Sequence, residues 1–243
     1  MNLYRPPGTG FNLMAHELSA TEILQTDFVS NVSHEFKTPI SAIEGYSTLL
    51  QGGENLDETQ REYIDKILFN TRRLSSLVGS ILLLSKLENQ QIPTNRTTFR
   101  LDEQIRQSIV ALETQWESKM IEFDVELDRI MYLGNETMLR YVWDNLISNA
   151  VKFSPIGGEV KLRLTRQGGE LVFTIEDRGP GLTEEAKNHI FDKFYQADSS
   201  HKQEGNGLGL TLAKRIVSIE NGKITVENCR SGGCRFTVIL EEK

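Results

Sequence analysis

One histidine in this chain sits where its neighbours suit nucleophilic chemistry. It lies in Ser33-His34-Glu35-Phe36-Lys37-Thr38-Pro39, inside a stretch of helical periodicity. His34 falls two residues beyond Val32, an apolar seam position, so its ring is expected to point off the core toward solvent. Neutral imidazole is a good nucleophile near pH 7. Glu35 is adjacent and suited to hydrogen-bond one ring nitrogen, which raises the basicity of the other. Thr38 lies at i+4 and shares the face of His34, so its hydroxyl is placed to hold a water against a modified ring. Pro39 cannot donate to the carbonyl of Glu35, so a bend that exposes the ring is expected. Taken alone, a His-Glu pair on a helix also reads as an ordinary solvated surface.

Four later segments read as a site for a phosphorylated ligand. In Asn145-Leu146-Ile147-Ser148-Asn149-Ala150-Val151-Lys152-Phe153, the residues Asn145, Asn149 and Lys152 share a helical stripe at i, i+4 and i+7. Two carboxamides and a cation suit a phosphate chain with Mg2+. Asp177-Arg178-Gly179-Pro180-Gly181 follows a strand pattern. Its carboxylate suits an exocyclic amine such as that of adenine, and its glycines allow close backbone approach. Ile190-Phe191-Asp192-Lys193-Phe194-Tyr195 is an aromatic anchor with one cation. Gly205-Asn206-Gly207-Leu208-Gly209-Leu210 leads into a helix, where unpaired N–H groups favour an anion. It follows no clear strand, so dinucleotide-fold and P-loop readings fail their context. Singly, these segments also read as a solvated helix, an Asp-Gly turn, core aromatics and a plain loop.

The His34 string resembles the H-box of two-component sensor histidine kinases, and Asp27-Phe28-Val29-Ser30-Asn31-Val32 before it fits as well. The other four segments, in this order and spacing, resemble the N, G1, F and G2 boxes of the catalytic domain in that family. The resemblance covers Phe28 to the C-terminus. It implies that His34 accepts phosphate, that Glu35 assists as base, and that Thr38 serves a phosphatase activity. It implies ATP and Mg2+ as ligands, with Asn149 and the nearby Asn145 at the metal. Lys152 and Lys193 would contact phosphates. Asp177 would read adenine in a pocket shaped by Gly179 and Gly181, and Phe194, Gly205, Gly207, Leu208 and Gly209 would complete the nucleotide site. Residues Gln196–Glu204 would form a polar lid. Phe153 stands where the family often has Tyr or His, and a phenyl ring offers no polar contact to the nucleotide. Related ATPases of the gyrase and Hsp90 type carry a Glu where Asn145 stands, as a base for water. An amide takes no proton from water, and Asp144 lies about 100° around the helix. Transfer to an external nucleophile is therefore expected, with His34 the candidate. A non-catalytic nucleotide-binding module is the other reading, against which all these residues are present.

The elements that must position these residues fall into two patterns. To about Glu88 the chain reads as long helix, turn at Gly52-Gly53-Glu54-Asn55, long helix, with Asp57 and Gln60 as a capping box. Apolar residues recur at steps of three and four: Phe28, Val32, Phe36, Ile40, Ile43, Tyr46 and Leu50, then Ile64, Ile67, Thr71, Leu74, Val78 and Ile81. A two-helix hairpin buries little alone, so a homodimer forming a four-helix bundle is expected. A polar linker with Pro93 runs from Gln90 to Thr98. Beyond it come a helix at about Leu101–Met120, a strand through Ile121, Phe123 and Val125, and a helix at about Asn135–Phe153. Paired strands at Val160–Arg166 and Leu171–Ile175, a helix at Leu208–Glu220 and a hairpin of Lys223–Asn228 with Cys234–Leu240 complete the pattern. This predicts an α/β sandwich with a mixed sheet packed on helices, and the resemblance specifies the ATP-binding fold of gyrase and Hsp90. The expected domains are 1–20 as lead and linker end, 21–92 for dimerisation and histidine phosphotransfer, and 98–243 for ATP binding and catalysis.

Composition restricts the partners. The net charge of -7 over 243 residues disfavours binding nucleic acid through a basic surface. No uninterrupted run of about 18 apolar residues and no signal peptide is present, so no membrane-spanning segment is expected. Residues Phe11–Leu18 resemble the end of the linker that precedes this region in membrane-bound sensor kinases. That implies the cytoplasmic portion of an inner-membrane receptor, with a response-regulator receiver domain as partner. His16, His189 and His201 read as ordinary surface residues. Cys229 and Cys234 flank a turn and are expected as reduced thiols, with a cross-strand disulfide the alternative and metal binding not expected.

Overall fold

The structure is a computed structural model of the chain and describes residues 36, 38–53, 56–89, 95–196 and 206–242. It divides into two compact units, Met1–Ile92 and Pro93–Lys243.

In the first unit, α1 is helical over residues 38–51 and α2 spans Glu58–Glu88. The turn begins where Gly53 N donates to the Leu50 carbonyl at 3.0 Å. Asp57 caps α2 as expected: its Oδ1 accepts from Gln60 N at 2.7 Å, and Gln60 Oε1 accepts from Asp57 N at 3.0 Å. Between the helices, Gln51 Nε2 donates to Asp65 Oδ1 at 2.7 Å and Arg72 Nε to Glu44 Oε1 at 3.1 Å.

The expected apolar stripe divides in two. Ile40, Ile64 and Thr71 of the stripe are buried, together with Ser47 and Leu68, which were not expected on it. Ile67, Leu74 and Ile81 stay 45%, 46% and 43% exposed, and Phe36, Ile43, Tyr46 and Leu50 are exposed with them. Two helices can cover only one side of each other, and the remaining stripe is left over.

By length and composition α2 qualifies to cross a bilayer, with a mean hydropathy of 1.3 over 18 residues. The expectation of no such segment rested on uninterrupted apolar runs, whereas a mean tolerates the polar residues that break one. Arg72 and Arg73 sit at the middle of this helix, and each would cost about 3 kcal/mol at a bilayer centre. A bundle helix explains the same composition without that cost.

In the second unit, β1 (Thr97–Arg100) and β3 (Met131–Gly134) form a two-stranded antiparallel ribbon. The main sheet has five strands: β2 (Glu122–Leu127), β4 (Glu159–Gln167), β5 (Glu170–Glu176), β7 (Cys234–Glu241) and β6 (Lys223–Asn228), in the order β2-β4-β5-β7-β6. Only β2 and β4 run parallel, so the sheet is mixed. Gly168 and Gly169, at φ 60° and 88°, give β4 and β5 a two-residue turn that needs positive φ at both positions.

The helices are α3 (Leu101–Val110), α4 (Glu113–Ser118), α5 (Glu136–Phe153), α6 (Glu184–His189) and α7 (Gly209–Ile219). On α5, Leu139, Val142, Trp143, Leu146, Ile147 and Ala150 are buried. Trp143 packs on Phe173 of β5 with ring centroids 4.9 Å apart, which seats α5 on the sheet.

Two expectations change in detail, and one element was not expected. The helix expected through Met120 breaks at Ala111-Leu112 into α3 and α4, and Trp116 Nε1 bridges back to the Ile109 carbonyl at 3.0 Å. The linker expected to reach Thr98 ends earlier, since Thr97 and Thr98 pair in β1. The ribbon itself has strands of four residues, too short to show a period.

Candidate functional site

The site is built on α5. Asn135 caps this helix, its Oδ1 accepting from Met138 N at 3.1 Å. Asn135 N in turn donates to Glu220 Oε1 at 3.2 Å. Glu220 is the buried C-cap of α7 and also meets Arg96 Nη2 at 2.8 Å. One carboxylate thus ties the start of α5 to the end of α7. Beside it, burial and the Glu220 charge push the Tyr132 hydroxyl up to about 12. The far end of α5 is held by Lys119, whose Nζ donates to the carbonyls of Val151, Lys152 and Ser154 at 2.8, 2.8 and 2.6 Å. Burial pushes the pKa of this ammonium down. Sequence reasoning missed Lys119, because nothing local marks a lysine on α4's flank as the cap of a distant helix.

With both ends fixed, Asn145, Asn149 and Lys152 line one half-buried stripe of α5 while the opposite side is core. Asn145 Nδ2 donates to the Tyr141 carbonyl at 2.7 Å. Its Oδ1 faces the first residue of α7: the Cβ that Gly209 lacks would lie 2.1 Å from it. Lys152 Nζ sits 4.7 Å from the Phe153 ring centre. Asp144, the acid beside the stripe, is engaged by Arg140 Nε at 3.2 Å.

Asp177 follows β5 and is only 7% exposed. Its Oδ1 accepts from Gly179 N at 2.8 Å and Cys234 N at 3.3 Å. Burial raises its pKa, and these two hydrogen bonds oppose the rise. The second oxygen accepts no hydrogen bond from the described residues, so it is the acceptor left for a ligand amine. Gly179 passes so close to α5 that an added Cβ would lie 2.9 Å from the Phe153 carbonyl oxygen. Gly181 has φ 77° and runs beside Asn228.

The aromatic segment and the glycine loop are also joined. Phe194 has φ 63°, and its N–H donates to the Gly207 carbonyl at 2.9 Å. An added Cβ on Gly207 would lie 2.7 Å from the Phe194 carbonyl carbon. Leu208 is fully buried and anchors the start of α7. Lys193 and Phe194 are exposed beside it. Asn145 against Gly209, Phe153 against Gly179 and Phe194 against Gly207 therefore bring all four segments together through missing Cβ atoms. His34, Glu35, Gly205 and the 197–204 part of the expected lid lie outside the described residues. Thr38 is exposed on α1.

The donor set suits Mg2+, which takes hard oxygen ligands and keeps several waters. The Asn149 carboxamide engages no group among the described residues and offers such an oxygen. The two cysteines are free, as expected. Their thiols point to different faces of the hairpin: Cys229 Sγ lies 3.9 Å from Glu176 Oε2, and Cys234 Sγ lies 3.7 Å from Asn228 Oδ1. That alternation disfavours the disulfide alternative. Burial, with Asp177 nearby, pushes the Cys234 thiol up to about 12.

Both units of the chain resemble known proteins. Residues 24–90 match the family described as His Kinase A (phospho-acceptor) domain, and residues 134–243 match the Histidine kinase-, DNA gyrase B-, and HSP90-like ATPase family. The chain is 33% identical over 232 residues to the heme sensor protein HssS of Staphylococcus saprophyticus subsp. saprophyticus, covering 96% of this chain and 50% of that protein. It is 32% identical over 231 residues to HssS of Staphylococcus aureus strain JH9, covering 95% and 50%. The chain thus spans about half the length of the curated relatives it matches. Among solved structures, full-length ShkA in complex with AMPPNP aligns with TM-score 0.76 at 27% identity, over 89% of this chain and 46% of that one. Histidine kinase ThkA in complex with the response regulator protein TrrA aligns with TM-score 0.64 at 27% identity, over 89% and 61%. With a phosphoacceptor domain followed by an ATPase-type nucleotide domain and histidine kinases as structural relatives, the chain belongs to the sensor histidine kinases of two-component systems.

Proposed function

We propose that this chain phosphorylates its own His34 from Mg-ATP and passes the phosphoryl group to an aspartate of a response-regulator receiver domain. The observation that carries the reading is that the nucleotide site has no acid placed to activate water among the described residues. Asn145 occupies the position where the related hydrolases carry Glu, and Asp144 is held by Arg140. Such a site needs an external nucleophile, and His34 supplies it.

In the proposed step a ring nitrogen of His34 forms a bond to the γ-phosphorus. The bond from that phosphorus to the bridging oxygen of ADP breaks, ADP leaves with its electron pair, and Glu35 takes the ring proton. Asp177 accepts from the adenine amine within the Gly179–Gly181 loop. Lys152 and Lys193 meet phosphates, and the Gly205–Gly209 loop and Phe194 close around them. Asn149, with Asn145 beside it, would hold Mg2+, which when bound neutralises phosphate charge. The remaining catalysis is positioning. The exposed Ile67, Leu74 and Ile81 stripe supports a homodimer in which a second hairpin covers it. The region is proposed as the cytoplasmic part of a membrane receptor.

The test is labelling with γ-phosphate-tagged ATP. Wild type is expected to take up acid-labile, alkali-stable label, and His34→Gln to take up none while still binding nucleotide. Acid-labile label persisting on His34→Gln would overturn the proposal, as would fast phosphate release with no labelling of wild type. The exposed Thr38 supports a phosphatase role toward the phosphorylated regulator. Thr38→Ala is expected to label at the wild-type rate yet dephosphorylate the regulator at least tenfold more slowly, on the order of one lost positioning contact. Equal loss of both activities would remove Thr38 from that role.

A further inference from the structure

The segment Asp177–Leu182 carries the proposed adenine contact, yet little of its own backbone holds it. Among the described residues, Asp177 N donates to the Cys234 carbonyl at 3.0 Å, and the backbone from Arg178 to Leu182 makes no further backbone-to-backbone hydrogen bond. Pro180 has no N–H to give. A loop without such bonds samples many conformations unless something else ties it.

The tie comes from the tip of the β6–β7 hairpin. Asn228, the last residue of β6, pairs with Leu182 through both halves of its carboxamide. Leu182 N donates to Asn228 Oδ1 at 2.9 Å, and Asn228 Nδ2 donates to the Leu182 carbonyl at 2.8 Å. The two bonds fit only one orientation of the amide, so the side chain imitates a paired strand residue. Gly181 passes directly beside it, where an added Cβ would lie 3.3 Å from Asn228 Oδ1. At the near end of the loop, Gly233 has φ 80°, and an added Cβ would lie 1.9 Å from the Asp177 carbonyl oxygen. The next residue, Cys234, supplies the N–H that holds Asp177 Oδ1. Arg178 Nη1 reaches Ser231 Oγ in the same tip. The hairpin tip therefore grips both ends of the adenine loop.

We propose that Asn228 is a positioning residue for adenine recognition. It acts through the loop it clamps, with Gly233 as the steric condition at the other end. The inference rests on the reading that Asp177 contacts adenine. Asn228 is exposed and lies at a strand end, so its loss should leave the fold intact while freeing the loop.

The experiment titrates the 243-residue chain calorimetrically with ADP and with GDP. It uses wild type, Asn228→Ala, Asn228→Asp and Asp177→Asn, with thermal midpoints measured without nucleotide. Asn228→Ala is expected to weaken ADP binding roughly tenfold, the order set by two lost hydrogen bonds of ordinary net strength. GDP binding should change little, so the ADP preference collapses at an unchanged midpoint. Asn228→Asp keeps the acceptor and loses the donor, so it should fall between wild type and Asn228→Ala. Wild-type ADP affinity in Asn228→Ala would overturn the proposal. So would equal weakening of both nucleotides with a lowered midpoint, the mark of a purely structural role. Asp177→Asn separates the two readings. If it binds ADP like wild type, the adenine contact itself is wrong; if it loses ADP while Asn228→Ala keeps it, only the clamp is wrong.

Discussion

Asp177→Asn is expected to weaken ATP binding by at least about a hundredfold and to leave the nucleotide-free protein as stable as wild type or more so. The two effects have opposite signs for one reason. Asp177 is a buried carboxylate whose pKa burial raises above the ordinary range. A group with a raised folded-state value contributes stability below its unfolded pKa, and that contribution is lost as pH rises through the folded value. Near neutral pH the buried charge is therefore a cost, and a neutral amide removes it. The amide oxygen can still accept from Gly179 N and Cys234 N, now at 2.8 and 3.3 Å from Oδ1. The other half becomes an NH2 facing the amine of adenine, donor against donor. Wild-type binding should also weaken as pH falls toward the raised pKa, because a protonated carboxyl accepts poorly. Calorimetric titration across pH with parallel thermal melts checks both. A lower midpoint with unchanged affinity would show the carboxylate to be structural only.

Gly209→Ala is expected to lower the rate of autophosphorylation by about a hundredfold, the size of a misplaced catalytic geometry. Helix propensity predicts otherwise. Gly209 opens α7, and alanine favours a helix over glycine by about 1 kcal/mol. The steric effect is larger: the new Cβ would lie 2.1 Å from Asn145 Oδ1 and 3.1 Å from its Cγ. Asn145 must rotate away, giving up its 2.7 Å bond to the Tyr141 carbonyl and its place beside the proposed metal site. Labelling rates of Gly209→Ala, Asn145→Ala and the double variant form a cycle. Strong coupling, with the double variant no worse than Asn145→Ala, is the expected result. A raised midpoint with a wild-type labelling rate would mean that propensity prevails and that Asn145 is not held against α7.

The predictions for Asp177, Gly209 and Asn228 differ in how visible they were beforehand. Asp177 could be singled out in sequence because a carboxylate at a strand end before Gly-x-Gly is a local pattern. The glycines of the loop before α7 were visible as a loop, but their partners were not. Nothing in Gly205-Asn206-Gly207-Leu208-Gly209 says that one glycine yields to Asn145 and another to Phe194. Asn228 and Gly233 were read as strand end and hairpin turn, since their partners Leu182 and Asp177 are 46 positions away for Asn228 and far off for Gly233 as well.

What the sequence determined by itself is local or periodic. The capping box at Asp57 and Gln60, the α5 stripe of Asn145, Asn149 and Lys152 and the paired strands all follow from near neighbours, where spacing alone sets geometry. What only the tertiary structure decided depends on contacts between distant residues. Glu220 and Lys119 fix the two ends of α5, the apolar stripe of the hairpin splits into a buried part and an exposed part, and Asn228 grips the Asp177–Leu182 loop. Burial likewise sets the pKa of Asp177. Such contacts have no period and no fixed spacing, so they exist only once the chain has packed.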